Sequence, residues 1–151
     1  MRNIILNQQE PQAFLSMSFD QLHKESQNWI SEIEFIKVEQ FFLQELLSEH
    51  IMGICNTHNF KNAKFFLNSI NNEKILGLKL IESIKEHKIN LALLIERIYL
   101  KKEDSFRKNH KLLELDLKNY VQNFKYIKEQ VFELILVIMR NEKNLKLQLN
   151  K

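Results

Sequence analysis

The chain has 151 residues, of which 44% are hydrophobic and 27% charged, with 11 Phe; that is core material for one globular domain and excludes a disordered chain. Two Gly and one Pro are too few turn formers for a sandwich, a barrel or a doubly wound sheet, so an all-α fold is expected. The formal charge of +3 comes from 22 basic and 19 acidic residues, and the basic set is mostly Lys on what reads as a solvated surface, which points away from nucleic acid as a partner. The single cysteine, Cys55, has no internal disulfide partner and the first residues lack a secretory pattern, so a cytoplasmic protein is expected. The longest apolar run, Val131 to Met139, is interrupted by Glu133 and falls well short of the ~20 residues of a membrane-spanning helix.

Residues 1–17 show no sustained period and read as a loose N-terminal arm. Ser18 and Gln21 have the spacing of a capping box, with Met17 and Leu22 placed as a hydrophobic staple, so the first helix is expected to start there. Its apolar seam alternates by four and three through Leu22, Ser26, Trp29, Ile33, Ile36, Gln40, Leu43 and Leu47, with Gly53 in place for a left-handed C-terminal cap. A second seam runs Ala63, Phe66, Ile70, Glu73, Gly77, Leu80, Ile84, His87, Leu91, Leu94 and Ile98, with a kink or break possible between Asn71 and Gly77. Asp104 or Ser105 is expected to cap the third helix, whose seam is Phe106, His110, Leu113, Leu117, Tyr120, Phe124, Ile127, Val131, Leu134 and Ile138. These elements predict an up-down-up antiparallel bundle of three long helices with coiled-coil-like packing over 18–145, followed by a frayed tail at 146–151.

Charge supports that closure. Residues 1–52 hold 3 basic and 8 acidic residues, whereas 101–151 hold 12 and 7, so the first and third helices attract. Glu25, Glu32 and Glu39 recur every seven residues beside the first seam, as flanking charges do when they select a partner helix.

The chemistry-bearing residues are few. No phosphate-cradling glycine motif and no Glu-x-x-His pair occurs, which removes the usual nucleotide sites and a ferritin-like di-iron centre. No cofactor and no enzymatic activity are expected. His87 and His110 fall on seams, but a chain reversal centred near residue 102 would separate them by ~10 Å along the bundle, so each is expected to be an independent core histidine. His50, Cys55 and His58 surround the first turn and are the only metal candidates; with no fourth soft ligand beside them, an ordinary polar turn is the expectation. Gln40 and Glu73 interrupt apolar seams and are expected to share one buried layer and hydrogen-bond, fixing register. Trp29 and the cluster Phe41, Phe42, Phe65 and Phe66 are expected in the core.

The pattern Trp29-x-x-Glu32-Ile33-x-Phe35-x-x-x-Glu39-x-x-Phe42-Leu43-x-x-Leu46-Leu47 resembles the opening helix of small bacterial proteins made of long helices. That resemblance favours a bacterial cytosolic origin and transfers no activity. The function expected is a non-enzymatic helical scaffold or protein–protein interaction module; the alternative is a bundle that senses a small ligand or a metal. The apolar surplus Phe132, Ile135, Leu136, Val137 and Met139 beside the third seam is the expected interaction surface, for a homo-oligomer or a helical protein partner.

Overall fold

A computed structural model describes residues 17–50, 53, 59–97 and 103–150, which form three helices in chain order: α1, Phe19–Glu49; α2, Phe60–Ile95; and α3, Glu103–Leu149. The predicted all-α up-down-up arrangement is the one observed, with no strand among the described residues. The N-terminal arm, residues 1–16, lies outside the described set. Among the described residues no helix is long and apolar enough to cross a membrane.

α1 opens on the capping box read from the sequence. The Ser18 amide donates to Gln21 Oε1 at 2.8 Å and the Gln21 amide donates to Ser18 Oγ at 3.2 Å, so two donors that the first turn leaves free are satisfied reciprocally. α2 is continuous through Asn71 and Gly77; burial of its stripe outweighs the weak local propensity there. Three boundary expectations change. α3 begins at Glu103, ahead of both expected caps, and continues to Leu149, into the stretch expected to fray. Gly53 is not left-handed. Its lack of a side chain serves a close approach instead, because a Cβ there would lie 2.9 Å from Glu142 Oε1 and 3.0 Å from an Ile138 methyl. The left-handed residue is Arg97, at φ 64°, whose amide donates to Leu94 O at 3.0 Å just after α2 ends.

Contacts divide the chain into two compact units, each built from all three helices. Unit 1 takes the described residues up to Glu32 and those in Leu80–Leu117; unit 2 takes those in Ile33–Lys79 and from Lys118 onward. In unit 1, Leu22, Trp29 and Ile30 of α1 are buried, as are Ile84 and Leu91 of α2 and Phe106, Leu113 and Leu117 of α3. Arg107 anchors the start of α1 to α3: its guanidinium donates to Met17 O at 2.7 Å and lies 4.6 Å over the Phe19 ring.

In unit 2, Ile33, Leu43, Leu47, Ile70, Phe124, Val131 and Ile138 are the most deeply buried apolar side chains. The Glu39–Lys128 ion pair at 2.7 Å and the His50–Glu142 hydrogen bond at 3.2 Å set α1 parallel to α3. Gly77 lies against Tyr120, and Phe66 shares a surface groove with Leu134, so α2 runs antiparallel to α3. The Glu39–Lys128 pair is the α1–α3 attraction that the charge asymmetry implied. Both partners are about two-thirds or more buried, yet a pair of this kind adds only modestly to burial of the seams.

Every seam residue read for α1 and α3 is buried, and so are most of those for α2. The Phe cluster departs from its expectation. Phe41, Phe42 and Phe65 are exposed, and Phe66 is half-buried. The cause is helix phase: Gln40 and Leu43 occupy the core stripe, so Phe41 and Phe42, at 100° per residue, are rotated onto the outer surface. Trp29 keeps its predicted place, 6% exposed and stacked on His110 with ring centroids 4.4 Å apart. Trp29→Ala should therefore lower the unfolding free energy by about 3–5 kcal/mol, the usual result of emptying a buried aromatic site. Denaturant titration checks this, and a loss below ~1 kcal/mol would contradict the assigned packing.

Candidate functional site

Chemistry concentrates at three places, one in unit 1 and two in unit 2. In unit 1, α2 and α3 bring His87 and His110 together, both fully buried, with His87 Nε2 and His110 Nδ1 2.9 Å apart. The expected separation is thus overturned. α2 stops at Ile95, Arg97 turns the chain and α3 starts at Glu103, so the reversal is centred several residues before 102 and the two histidines fall on one level.

Partner chemistry assigns every ring nitrogen. The Glu25 carboxylate on α1 only accepts, so His110 Nε2–H donates to Glu25 Oε1 at 3.2 Å. His110 Nδ1 is then an acceptor, which makes His87 Nε2–H the donor across the 2.9 Å contact. His87 Nδ1 in turn accepts from the Asn109 side-chain amide at 3.3 Å. The result is a directional chain, Asn109 to His87 to His110 to Glu25, that ties all three helices of unit 1. Neutral imidazoles complete it with no polar ring atom left over.

Burial, with the neighbouring His110 adding to it, lowers the His87 pKa to about 4. Burial likewise brings His110 down to about 4, with Glu114 opposing the shift and Arg107 and Lys111 adding to it. Both folded values lie below the ordinary 6.5. The unfolded chain therefore binds protons that the folded chain excludes, and stability is lost as pH falls from about 6.5 toward 4. A proton withheld over about 2.5 pH units corresponds to roughly 3 kcal/mol.

In unit 2, Gln40 and Glu73 are both buried, as expected, but they are not paired with each other. The Gln40 amide donates to Tyr120 Oη at 3.1 Å, while Gln40 Oε1 and Glu73 Oε2 have no hydrogen-bond partner among the described residues. The sequence reading had assigned Tyr120 to the apolar seam; its hydroxyl is what captures Gln40. Gly77 makes room for that hydroxyl, since a Cβ there would lie 2.7 Å from Tyr120 Oη. Burial raises the Glu73 carboxyl above the usual range, which favours its neutral form.

The third place is an exposed apolar face on the α1/α3 side of unit 2. Glu39 faces α3 and Lys128 faces α1, as their ion pair shows. Phe42 and Leu46 lie three and seven residues beyond Glu39, on its face; Phe132, Leu136 and Met139 lie four, eight and eleven beyond Lys128, on its face. The His50–Glu142 hydrogen bond closes the far end. Phe42 is 55% exposed, Leu136 52%, Met139 48% and Phe132 40%.

Four of the five residues expected as an interaction surface are therefore exposed. Ile135 is the exception: it is buried, 4% exposed, because Leu134 and Ile135 together widen the core stripe between Val131 and Ile138. Val137 is exposed on the other flank of α3, in a shallow groove with Asn62, Phe66 and Gln130. The face could not be assembled from sequence because its α1 half was read as core.

Among the metal candidates, His50 pairs with Glu142, and Cys55 and His58 lie outside the described residues. No group of three or more His, Cys, Asp or Glu among the described residues is arranged to hold a metal ion. The facing nitrogens of His87 and His110 are occupied by each other.

Two outcomes are expected. Chemical denaturation at pH 7, 6, 5 and 4 should show the unfolding free energy falling through this window, by roughly 3 kcal/mol or more at pH 4; a flat profile would mean that the histidines are not held neutral. Gly77→Ala, which ordinarily gains ~1 kcal/mol in a helix interior, should instead cost about 1–3 kcal/mol, because the methyl displaces the Tyr120 hydroxyl from Gln40. Thermal melts of the variant and the parent decide that sign.

Comparison of the chain with family models, curated proteins and solved structures finds no match, so the functional reading rests on these three places.

Proposed function

We propose that this chain is a non-enzymatic helical interaction module that pairs with a second copy of itself through the α1/α3 face of unit 2. The observation that carries the reading is that exposed Phe42, Phe132, Leu136 and Met139, with half-buried Leu46, share by helical spacing the α1/α3 face between the Glu39–Lys128 and His50–Glu142 pairs. Exposed apolar side chains that share a face are characteristic of protein–protein contact surfaces.

Charge supports a second copy as the occupant. Within unit 2 the α1 segment carries one basic and four acidic residues, whereas the α3 segment carries six basic and three acidic. A two-fold axis parallel to the helices would set acidic α1 of each copy against basic α3 of the other, satisfying both sides with one operation. Such pairing gives exposed Phe42 and Phe132 a dry partner surface and needs no chemistry beyond burial and charge. A cytoplasmic setting, expected from the lone Cys55 and from the resemblance of the first helix, belongs to the same proposal.

Sedimentation equilibrium tests it directly. The parent should show a dimer whose dissociation constant rises with salt, and Phe42→Glu or Leu136→Glu should give a folded monomer by circular dichroism and mass. A parent that stays monomeric at high micromolar concentration, or variants that dimerise as the parent does, would overturn self-pairing through this face.

A further inference from the structure

The histidine chain of unit 1 has a feature that a register-fixing polar contact does not need: it can receive one proton and has no place for a second. We propose that Asn109, His87, His110 and Glu25 form a one-proton acid switch, in which the first proton enters at His87 Nδ1 and is held by the imidazole pair with unit 1 intact, and the second forces the helices of unit 1 apart.

In the neutral chain one imidazole lone pair points outward, at His87 Nδ1, which faces the Asn109 amide at 3.3 Å. His87 is fully buried but Asn109 is exposed, and it is at this end that the proposal places entry of the proton. Once it bonds to His87 Nδ1, the nitrogen becomes a donor. Rotation of the Asn109 amide by half a turn then offers Oδ1 in place of the N–H group. Nothing else need change: His87 Nε2–H still donates to His110 Nδ1, and His110 Nε2–H still donates to Glu25.

The second proton meets a different situation. The remaining imidazole lone pair, on His110 Nδ1, is already engaged 2.9 Å from His87 Nε2. Protonating it sets two N–H groups and two positive rings against each other in a fully buried site, and no side-chain rotation relieves this while Glu25 holds the far nitrogen. Buried like charges at such a distance are relieved only by separation.

The charged groups around the pair fit one proton rather than two. From α1, Glu25 faces His110 and favours a positive charge; from α3, Glu114 acts in the same sense, while Arg107 and Lys111 oppose it; α2 contributes His87 itself. The Gln40, Glu73 and Tyr120 layer of unit 2 contains no histidine, and protonating Glu73, whose pKa burial raises, removes a buried charge rather than adding one. Acidification is therefore expected to open unit 1 before it disturbs that layer.

The experiment uses the full chain labelled with ¹⁵N, following the imidazole nitrogens by NMR during acidification while amide exchange reports each unit. His87 Nδ1 should become protonated first, the pair gaining a single positive charge with unit 1 amides still protected. Further acidification should remove protection from unit 1 before unit 2. Two variants at the exposed end separate a switch from a merely structural contact. Asn109→Asp places a carboxylate beside the new N–H and should raise the His87 midpoint about tenfold in proton concentration or more, whereas Asn109→Leu removes the acceptor and should lower it by a similar factor. The proposal is overturned if neither variant moves the His87 midpoint, if His87 Nδ1 stays unprotonated when the pair gains its first charge, if unit 1 opens before any proton is bound, or if both imidazoles become charged in a still-protected unit 1.

Discussion

Each helix of this chain has one stripe that must be buried, and whatever side chain falls on that stripe goes into the core with it. Leu22, Trp29, Ile33 and Leu43 commit the α1 stripe, and Ser26 and Gln40 are carried in alongside them. The same holds for Glu73 and His87 on α2 and for His110 on α3. A buried polar group without a partner costs about 1–3 kcal/mol, so the packing of the apolar seams dictates where partners are needed. Ser26 finds its partner locally, donating to Leu22 O at 2.8 Å within its own helix. The longer polar side chains have to find theirs on other helices.

The two units meet that demand differently. In unit 1 the buried imidazoles are fully satisfied, because a carboxylate and an amide sit at the two ends of the pair and leave only one consistent set of proton positions. A network of this kind specifies register, since a slide of one helix by a turn would break several hydrogen bonds at once. In unit 2 satisfaction is partial: Tyr120 takes the Gln40 amide, while one oxygen each of Gln40 and Glu73 has no partner among the described residues. The buried carboxyl responds by shifting toward its neutral form.

The same stripes decide what is left outside. Phe35, Phe41, Phe42 and Phe65 are all more than half exposed, a large apolar surface for helices whose core positions are already filled by Ile, Leu and Phe. Where the outer faces of α1 and α3 lie side by side in unit 2, Phe42 and Leu46 continue into Phe132, Leu136 and Met139, and the acidic α1 adjoins the basic α3. Burial of the seams thus produces both the polar chain of unit 1 and the exposed face of unit 2. Neither needs a catalytic group.

Within each helix the sequence alone was sufficient. The all-α class, the capping box at Ser18 and Gln21, and the buried stripes of α1 and α3 follow from 3.6-residue periodicity, which is a local property of the chain. Levels between helices were not legible, because they depend on where α2 stops and how the backbone turns. A left-handed Arg97, which no glycine or asparagine signals, moved the reversal by a few residues; at 1.5 Å per residue on each of two antiparallel helices that was enough to turn two separate histidines into a bonded pair. The partner of Gln40 was hidden for a related reason: a tyrosine on an apolar seam reads as a ring until its neighbours show where the hydroxyl goes. The exposed face needed tertiary structure as well. Hydrophobicity marks Phe42 as core material, and only the assembled stripes show that the core is already full on its other side.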